Sequence, residues 1–413
     1  MTDTPDPPAG ILIVTVDRLP AWILPAFGCT WASTPTLDGL AGRGLVLDRM
    51  IAGSDDPHDT FAALSGCGPE DRDSWPLLAA TAARGWSPAV VTDDESLAVR
   101  LPAGVTVRCV PALAAPQIAA TAAETNLGRL VAAATELAAS GSHRLLWLHT
   151  TSLGTAWDAP EEFRSAHLDP DDPPPPPGAT VPLVHVTTQT DPDLVAVLRQ
   201  VFAGQVTFFD HCLDRLLDSL PGDEPGRAWT VVFAGVRGMP LGLHGVIGPL
   251  PLAPFGELVH VPAVLVDHHG RMAAQRCGGL LTPADLGATL LDLVGDSRPA
   301  GSDPRLGRSL VPLLDEWRFP PRDRAIAVTS RGVAIATPAW HLVLPSPAEP
   351  TRPPVLYAKP DDYFEACDVA DRGSDVAEEL ARVAGLAASD LRAAWTTPLS
   401  TPARAGTSTA VDS

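Results

Sequence analysis

The stretch ILIVTVDRLPAW, residues 11–22, sets an acid and a base side by side, Asp17 and Arg18, behind an apolar run and just ahead of Pro20. An acid at the end of a buried strand can hold a cation. An arginine beside it cannot, because a guanidinium is a fixed positive charge with donors and no acceptor. The segment DHHG carries His268 and His269, a residue type that binds metals, but no second cluster with ligand spacing accompanies it and it reads as a surface turn. Cys29, Cys67, Cys109, Cys212, Cys277 and Cys367 show no C-x-x-C spacing and read as buried free thiols. Lys359 is the only lysine, so chemistry that needs a pair of lysines is excluded by count.

Elements must exist to position these groups. With 413 residues and 45% hydrophobic content, the chain can build one large domain plus a smaller one around a real core. A net charge of -20 disfavours nucleic acid and anionic membrane surfaces, which leaves a protein or a small molecule as the expected partner. MTDTPDPPAG lacks the basic and apolar parts of a leader, and no run approaches the ~18 apolar residues of a membrane span, so a soluble cytoplasmic protein is expected.

Short apolar runs, ILIVTV, SPAVVT, RLLWLHT, WTVVFAG and HVPAVLV, alternate with helical stretches over TPTLDGLAGRG and residues 117–140, 191–219 and 283–294. Such alternation predicts an α/β fold with a central, mostly parallel sheet flanked by helices. DPDDPPPPPGATVP predicts a polyproline loop at the surface. Beyond about residue 316, RAIAVTS, GVAIAT and WHLVL predict a small antiparallel subdomain. The expected division is 9–315 for the α/β domain, 316–385 for the C-terminal subdomain and 386–413 for a helical end and a disordered tail.

The order of these pieces resembles the sulfatase family of the alkaline phosphatase-like superfamily. The likeness rests on ILIVTVDRLPAWILPAFGCTWASTPTLDGLAGRGLVLDRMIA, FAALSG, LLWLHTTSLGTAWDAPEEF, VTFFDHCLDRLLDSL, WTVVFAGVRGMPLGLHG, FGELVHVPAVLV, LTPADLGATLLDLVG, GRSLVPLL and AWHLVL, and spans roughly residues 9–382. It implies an ancestral sulfuric ester hydrolase that holds a divalent cation on oxygen ligands from two strand ends. Mapped residue by residue, Asp17 is the one implied ligand left; Arg18, Val236 and Arg237 stand where the others would be.

The implied nucleophile falls in GSDDPHDTFAALSG, on Asp55 or Asp56, and its partner arginine on Asp59 or Thr60. Neither aspartate can become formylglycine, while Ser54 and Thr60 keep a phosphatase-like hydroxyl open. His58 and His244 belong to the same degenerate cleft; His244 reads as a loop histidine satisfied by backbone or as a catalytic one. His149 reads as a packing residue. Asp93 and Glu95 occupy an implied lysine and histidine, and Gly154 a second implied histidine. The ancestral calcium site is expected to be lost and no other cofactor is implied.

The expectation is therefore a pseudoenzyme with a binding, regulatory or structural role, and the alternative is an active hydrolase of sulfate or phosphate esters with a rearranged site. Arg18 and Arg237 are expected to replace the metal by bridging Asp17, Asp55 and Asp56, unless both simply point to solvent.

Overall fold

In the computed structural model, which describes residues 8–221, 228–296, 303–316, 322–346 and 353–400, the run Gly10–Val16 is buried at every position. Leu12, Val14 and Val16 face one hydrophobic layer and Ile11 and Ile13 the other. A strand covered on both faces has no polar side to show, which is why it reads as a continuous apolar run.

The strands in chain order are β1 (Gly10–Val16), β2 (Leu45–Ile51), β3 (Ala89–Thr92), β4 (Thr106–Cys109), β5 (Leu145–Thr150), β6 (Val184–His185), β7 (Trp229–Gly235) and β8 (Val246–Ile247). They continue with β9 (His260–Val261), β10 (Ala263–Val266), β11 (Gln275–Leu281), β12 (Ala325–Thr329), β13 (Gly332–Ala336), β14 (Trp340–Pro345) and β15 (Val355–Ala358). The central sheet has the order β11-β2-β10-β7-β1-β5-β3-β4, with β9 on β2. β10 runs antiparallel to both its neighbours and β9 antiparallel to β2, whereas the remaining pairs are parallel. β6 and β8 form a separate two-stranded ribbon.

Helices Asn126–Ala139 and Pro192–Asp218 cover one face; Pro57–Leu64, Pro76–Ala83 and Pro283–Leu293 cover the other. The helix predicted over 117–140 starts only at Asn126. Thr125 caps it through Gly128 N–H, and Thr121 with Glu124 forms a capping box on the short turn before it. The proline-rich segment has no regular structure, as expected, but it is pinned to the core: buried Arg164 donates to Pro176 O at 2.8 Å, and Trp157 N–H donates to Ala179 O at 2.8 Å.

β12–β15 form a four-stranded antiparallel sheet in sequential order, against which helix Ser374–Ala387 packs. This sheet also shares a core with the edge of the central one, where Ile51, Phe255 and Leu280 meet Ala327, Ala334 and Val343. Arg49 reaches across to donate to Thr337 O and Pro338 O. Helix Leu391–Thr396 lies in the expected helical end; the tail expected over 401–413 lies outside the described residues.

Candidate functional site

Strand register builds the site. Val16 pairs with Thr150 on one side and Gly235 on the other, so three parallel strands end together. Asp17 N–H still donates to Thr150 O at 2.9 Å, and Val236 N–H to Val16 O at 2.9 Å. Asp17 is 4% exposed. Its carboxylate receives the side chain of Arg237 as a fork: Nε donates to Oδ1 at 2.9 Å and Nη2 to Oδ2 at 3.1 Å. Arg237 Nη1 donates to the backbone oxygen of Asp55 at 2.5 Å. One guanidinium thus joins the ends of β1 and β7 to the loop that follows β2.

Arg18 behaves differently. Its Nε lies 3.8 Å from Asp17 Oδ2, too far for a hydrogen bond, and its guanidinium donates none among the described residues. The backbone there has φ +63°, the left-handed region that a non-glycine residue occupies at a strain of ~1 kcal/mol. That conformation lays the side chain against Gly154, where an added Cβ would come within 2.7 Å of Arg18 Cγ. The glycine at an implied histidine position is what leaves room for the arginine. Burial draws the Arg18 guanidinium down to about 10, against the opposing pull of Asp17.

The remaining expected members of the cluster do not converge on the arginines. Asp55 turns its carboxylate to Ser330, accepting from Oγ at 2.8 Å and from N–H at 3.2 Å. Asp56 is the N-cap of helix Pro57–Leu64, accepting from His58 N–H at 3.0 Å, and it is clamped by Arg72 at 2.8 Å, which also holds Asp59. An exposed aspartate one residue before a proline is in a capping position, which explains the correction.

Thr60 is buried and its hydroxyl donates weakly to Val236 O at 3.4 Å; Ser54 Oγ accepts from Asp56 N–H at 2.9 Å. His58 is buried against Trp75, with Nε2 2.9 Å from Asp73 Oδ1. Val236 is a core residue, 1% exposed. The solvent-facing alternative for the arginines is corrected too: the side chains of Arg18 and Arg237 are 11% and 20% exposed.

His244 is held by carboxylates rather than by backbone acceptors. Its Nδ1 lies 3.0 Å from Glu257 Oε1, its ring stacks on Phe255, and Nε2 is 3.6 Å from Glu365. His149 is fully buried: Trp147 Nε1–H donates to Thr15 Oγ1, which also meets His149 Nδ1 at 3.1 Å, and burial pulls the imidazole down to about 4. Asp93 accepts from Thr151 N–H at 2.7 Å and Thr150 Oγ1 at 3.0 Å, while burial pushes its carboxyl up to about 6. Glu95 is exposed in the first turn of helix Glu95–Ala98. His268 meets Thr230 and Asp267 in a turn whose His269 is exposed.

The donor set does not fit the dication that the fold implies. Asp17's two oxygens are taken by a guanidinium, a second one stands 3.8 Å away, and Val236 offers only a methyl surface. Among the described residues no group of three or more His, Cys, Asp or Glu could hold a metal ion. Arg18's guanidinium faces Asp17 at ion-pair distance, with Asp55 also acting on its charge, and donates no hydrogen bond among the described residues. Sequence reasoning did not find Ser330, Arg72 or Glu257; Ser330 lies 275 residues from Asp55, and no spacing rule spans that.

No family model matches the chain. A stretch of 125 residues is 31% identical to the multifunctional alkaline phosphatase superfamily protein PehA of Trinickia caryophylli; it covers 29% of this chain and 23% of that protein. Over nearly full length the structure is similar to the phosphonate monoester hydrolase of Agrobacterium radiobacter, with a TM-score of 0.70, 17% identity and coverage of 93% of this chain and 95% of that one. It is likewise similar to BT1596, a 2-O GAG sulfatase (TM-score 0.69, 17% identity, 94% and 93% covered), and to the phosphonate monoester hydrolase of Silicibacter pomeroyi (TM-score 0.65, 16% identity, 91% and 93% covered). The chain has the fold shared by the sulfatases and phosphonate monoester hydrolases of the alkaline phosphatase superfamily.

Proposed function

We propose that this protein binds an oxyanion at its strand ends without hydrolysing it, with guanidinium groups standing where the fold's dication would be. The observation that carries this reading is the fork of Arg237 on Asp17, which occupies both oxygens of the only implied metal ligand left. Beside it, Arg18 is buried and its guanidinium donates no hydrogen bond among the described residues, an arrangement suited to a sulfate, phosphate or phosphonate group. Hydrolysis would need an activated nucleophile. Thr60 is turned into the core, Ser54 serves as an acceptor for Asp56 N–H, and Asp55 and Asp56 are spent on Ser330 and on a helix cap.

The same proposal places the protein in the cytoplasm, a compartment suited to its six unpaired thiols. No helix among the described residues is long and apolar enough to cross a membrane.

The test pairs binding with turnover. Phenylphosphonate titrated calorimetrically is expected to bind and to lose about tenfold or more in affinity in Arg18→Gln, as befits a charge-assisted hydrogen bond. Aryl sulfates and aryl phosphonate monoesters are expected to turn over no faster than with heat-treated protein. Turnover that requires a divalent cation and vanishes in Asp17→Ala, or that depends on Ser54 or Thr60, would overturn the reading.

A further inference from the structure

A separate cavity of about 800 Å³ opens between β2 and the C-terminal sheet, and none of Asp17, Arg18 or Arg237 lines it. Most charges on its wall are already matched. Lys359 Nζ donates to Asp362 O at 2.7 Å and Tyr363 O at 3.1 Å and lies 3.2 Å from Glu365 Oε1. Glu365 also accepts from Gly256 N–H at 2.8 Å and pairs with His341 Nδ1. Arg276 is paired with Asp48.

Two wall charges have no ion pair among the described residues, the exposed Asp361 and the cation Arg49. Arg49 Nη2 and Nη1 donate to Thr337 O at 2.7 Å and Pro338 O at 2.8 Å, both uncharged, and no carboxylate pairs with it among the described residues. Of the five donors on a guanidinium, three remain for another partner. Burial alone draws the group down to about 10, with no acidic neighbour pulling the other way.

Two more lining residues carry polar atoms that want a partner. Nε2 of His341, a residue 3% exposed, and Oη of Tyr363 are both buried and make no hydrogen bond among the described residues. Nδ1 of His341 faces the Glu365 carboxylate, which leaves Nε2, on the other side of the ring, without that partner. Buried polar groups are normally satisfied, so a pair of them lining one cavity points to something that fills it. Phe27 adds an aromatic wall and Ile51 and Ala336 apolar ones.

We propose that this cavity is a binding site for a small aromatic monocarboxylate bearing a hydroxyl group, its carboxylate on Arg49, its ring beside Phe27 and its hydroxyl toward His341 and Tyr363. A single negative charge is what one unmatched arginine accommodates. A phosphate dianion would bring a second charge next to Glu365 and Asp48. The site is independent of the strand-end oxyanion reading, and either can fail without the other.

The probe is 4-hydroxybenzoate, with benzyl alcohol as the neutral control, titrated calorimetrically into the full chain. One site is expected on the wild type. Affinity should fall about tenfold or more in Arg49→Gln and stay unchanged in Arg108→Gln, an exposed position on β4 at the opposite edge of the central sheet. Lys359 gives a second readout that needs no variant. As the only lysine in the sequence, lining this cavity, it should be acetylated more slowly when 4-hydroxybenzoate is present, while the amino terminus reacts at an unchanged rate. No saturable binding to the wild type, equal binding by benzyl alcohol, or Lys359 acetylation indifferent to the probe would overturn the proposal. If Arg49→Gln does not fold, Tyr363→Phe takes its place, and weakened binding is again expected.

Discussion

Arg237 and Arg18 both lie at the strand ends beside Asp17, yet they carry unequal shares of the structure. Arg237 neutralises Asp17, which is 4% exposed, so Arg237→Ala strips a buried carboxylate of both its hydrogen bonds from that guanidinium, with only Arg18 left 3.8 Å away, and is expected to cost about 3 kcal/mol. Arg18 makes no hydrogen bond with its guanidinium among the described residues, so Arg18→Ala is expected to change stability by no more than about 1 kcal/mol. Urea unfolding of both variants ranks them, and a larger loss from Arg18→Ala would mean that the ion pair is built the other way round. Asp93 gives a pH-dependent companion. Its folded pKa of about 6 lies above the ordinary carboxylate value, so the folded state binds the proton more tightly and stability falls as pH rises from about 4 to about 6. Asp93→Asn keeps an acceptor for Thr151 N–H and removes the charge. It is expected to stabilise the protein by about 1–3 kcal/mol at pH 7, with the advantage fading below pH 4. An advantage that persists unchanged at pH 3.5 would show that packing, not charge, is responsible.

Elements are where sequence reading succeeds and where it stops. β1, β5 and β7 were legible because burial on both faces leaves an uninterrupted apolar run, and the helix over 191–219 was legible because its apolar face repeats along Pro192–Asp218. β4 and β11 were not. Thr106–Cys109 is largely exposed at one sheet edge, and Gln275–Leu281 at the other carries Arg276 and a Gly-Gly pair that breaks the register. The helix start at Pro35 was legible, yet its cap was hidden: Thr34 Oγ1 has no partner among the described residues, and the N–H groups of Thr36 and Leu37 donate instead to Asp210 at 3.0 and 2.8 Å. That carboxylate comes from the middle of helix Pro192–Asp218. Asp210→Ala is expected to cost about 1–2 kcal/mol and to speed hydrogen exchange at Thr36 and Leu37, whereas Thr34→Ala should cost far less. The opposite ranking would return the cap to Thr34.

For the whole molecule, the strand ends that the fold brings together are held by the buried ion pair of Asp17 with Arg237. The Asp17–Arg237 juxtaposition was legible from aligned strand ends, whereas the fate of Asp55 was not, because Ser330 reaches it from the C-terminal sheet. The two sheets share a core, so removing the C-terminal one would also strip Ile51 and Phe255 of neighbours next to that loop. Dication binding to the folded state is the most direct discriminator, since a ligand at a hundred times its Kd stabilises by about 2.7 kcal/mol whatever the geometry of its site. The measurement is the urea midpoint of the wild type and of Asp17→Asn, each dialysed against chelator and then titrated with calcium, magnesium and manganese. The expected result is a wild-type midpoint that no dication moves. A saturable rise in the wild type that is missing in Asp17→Asn would contradict it, because the site would then hold a metal with Arg237 displaced.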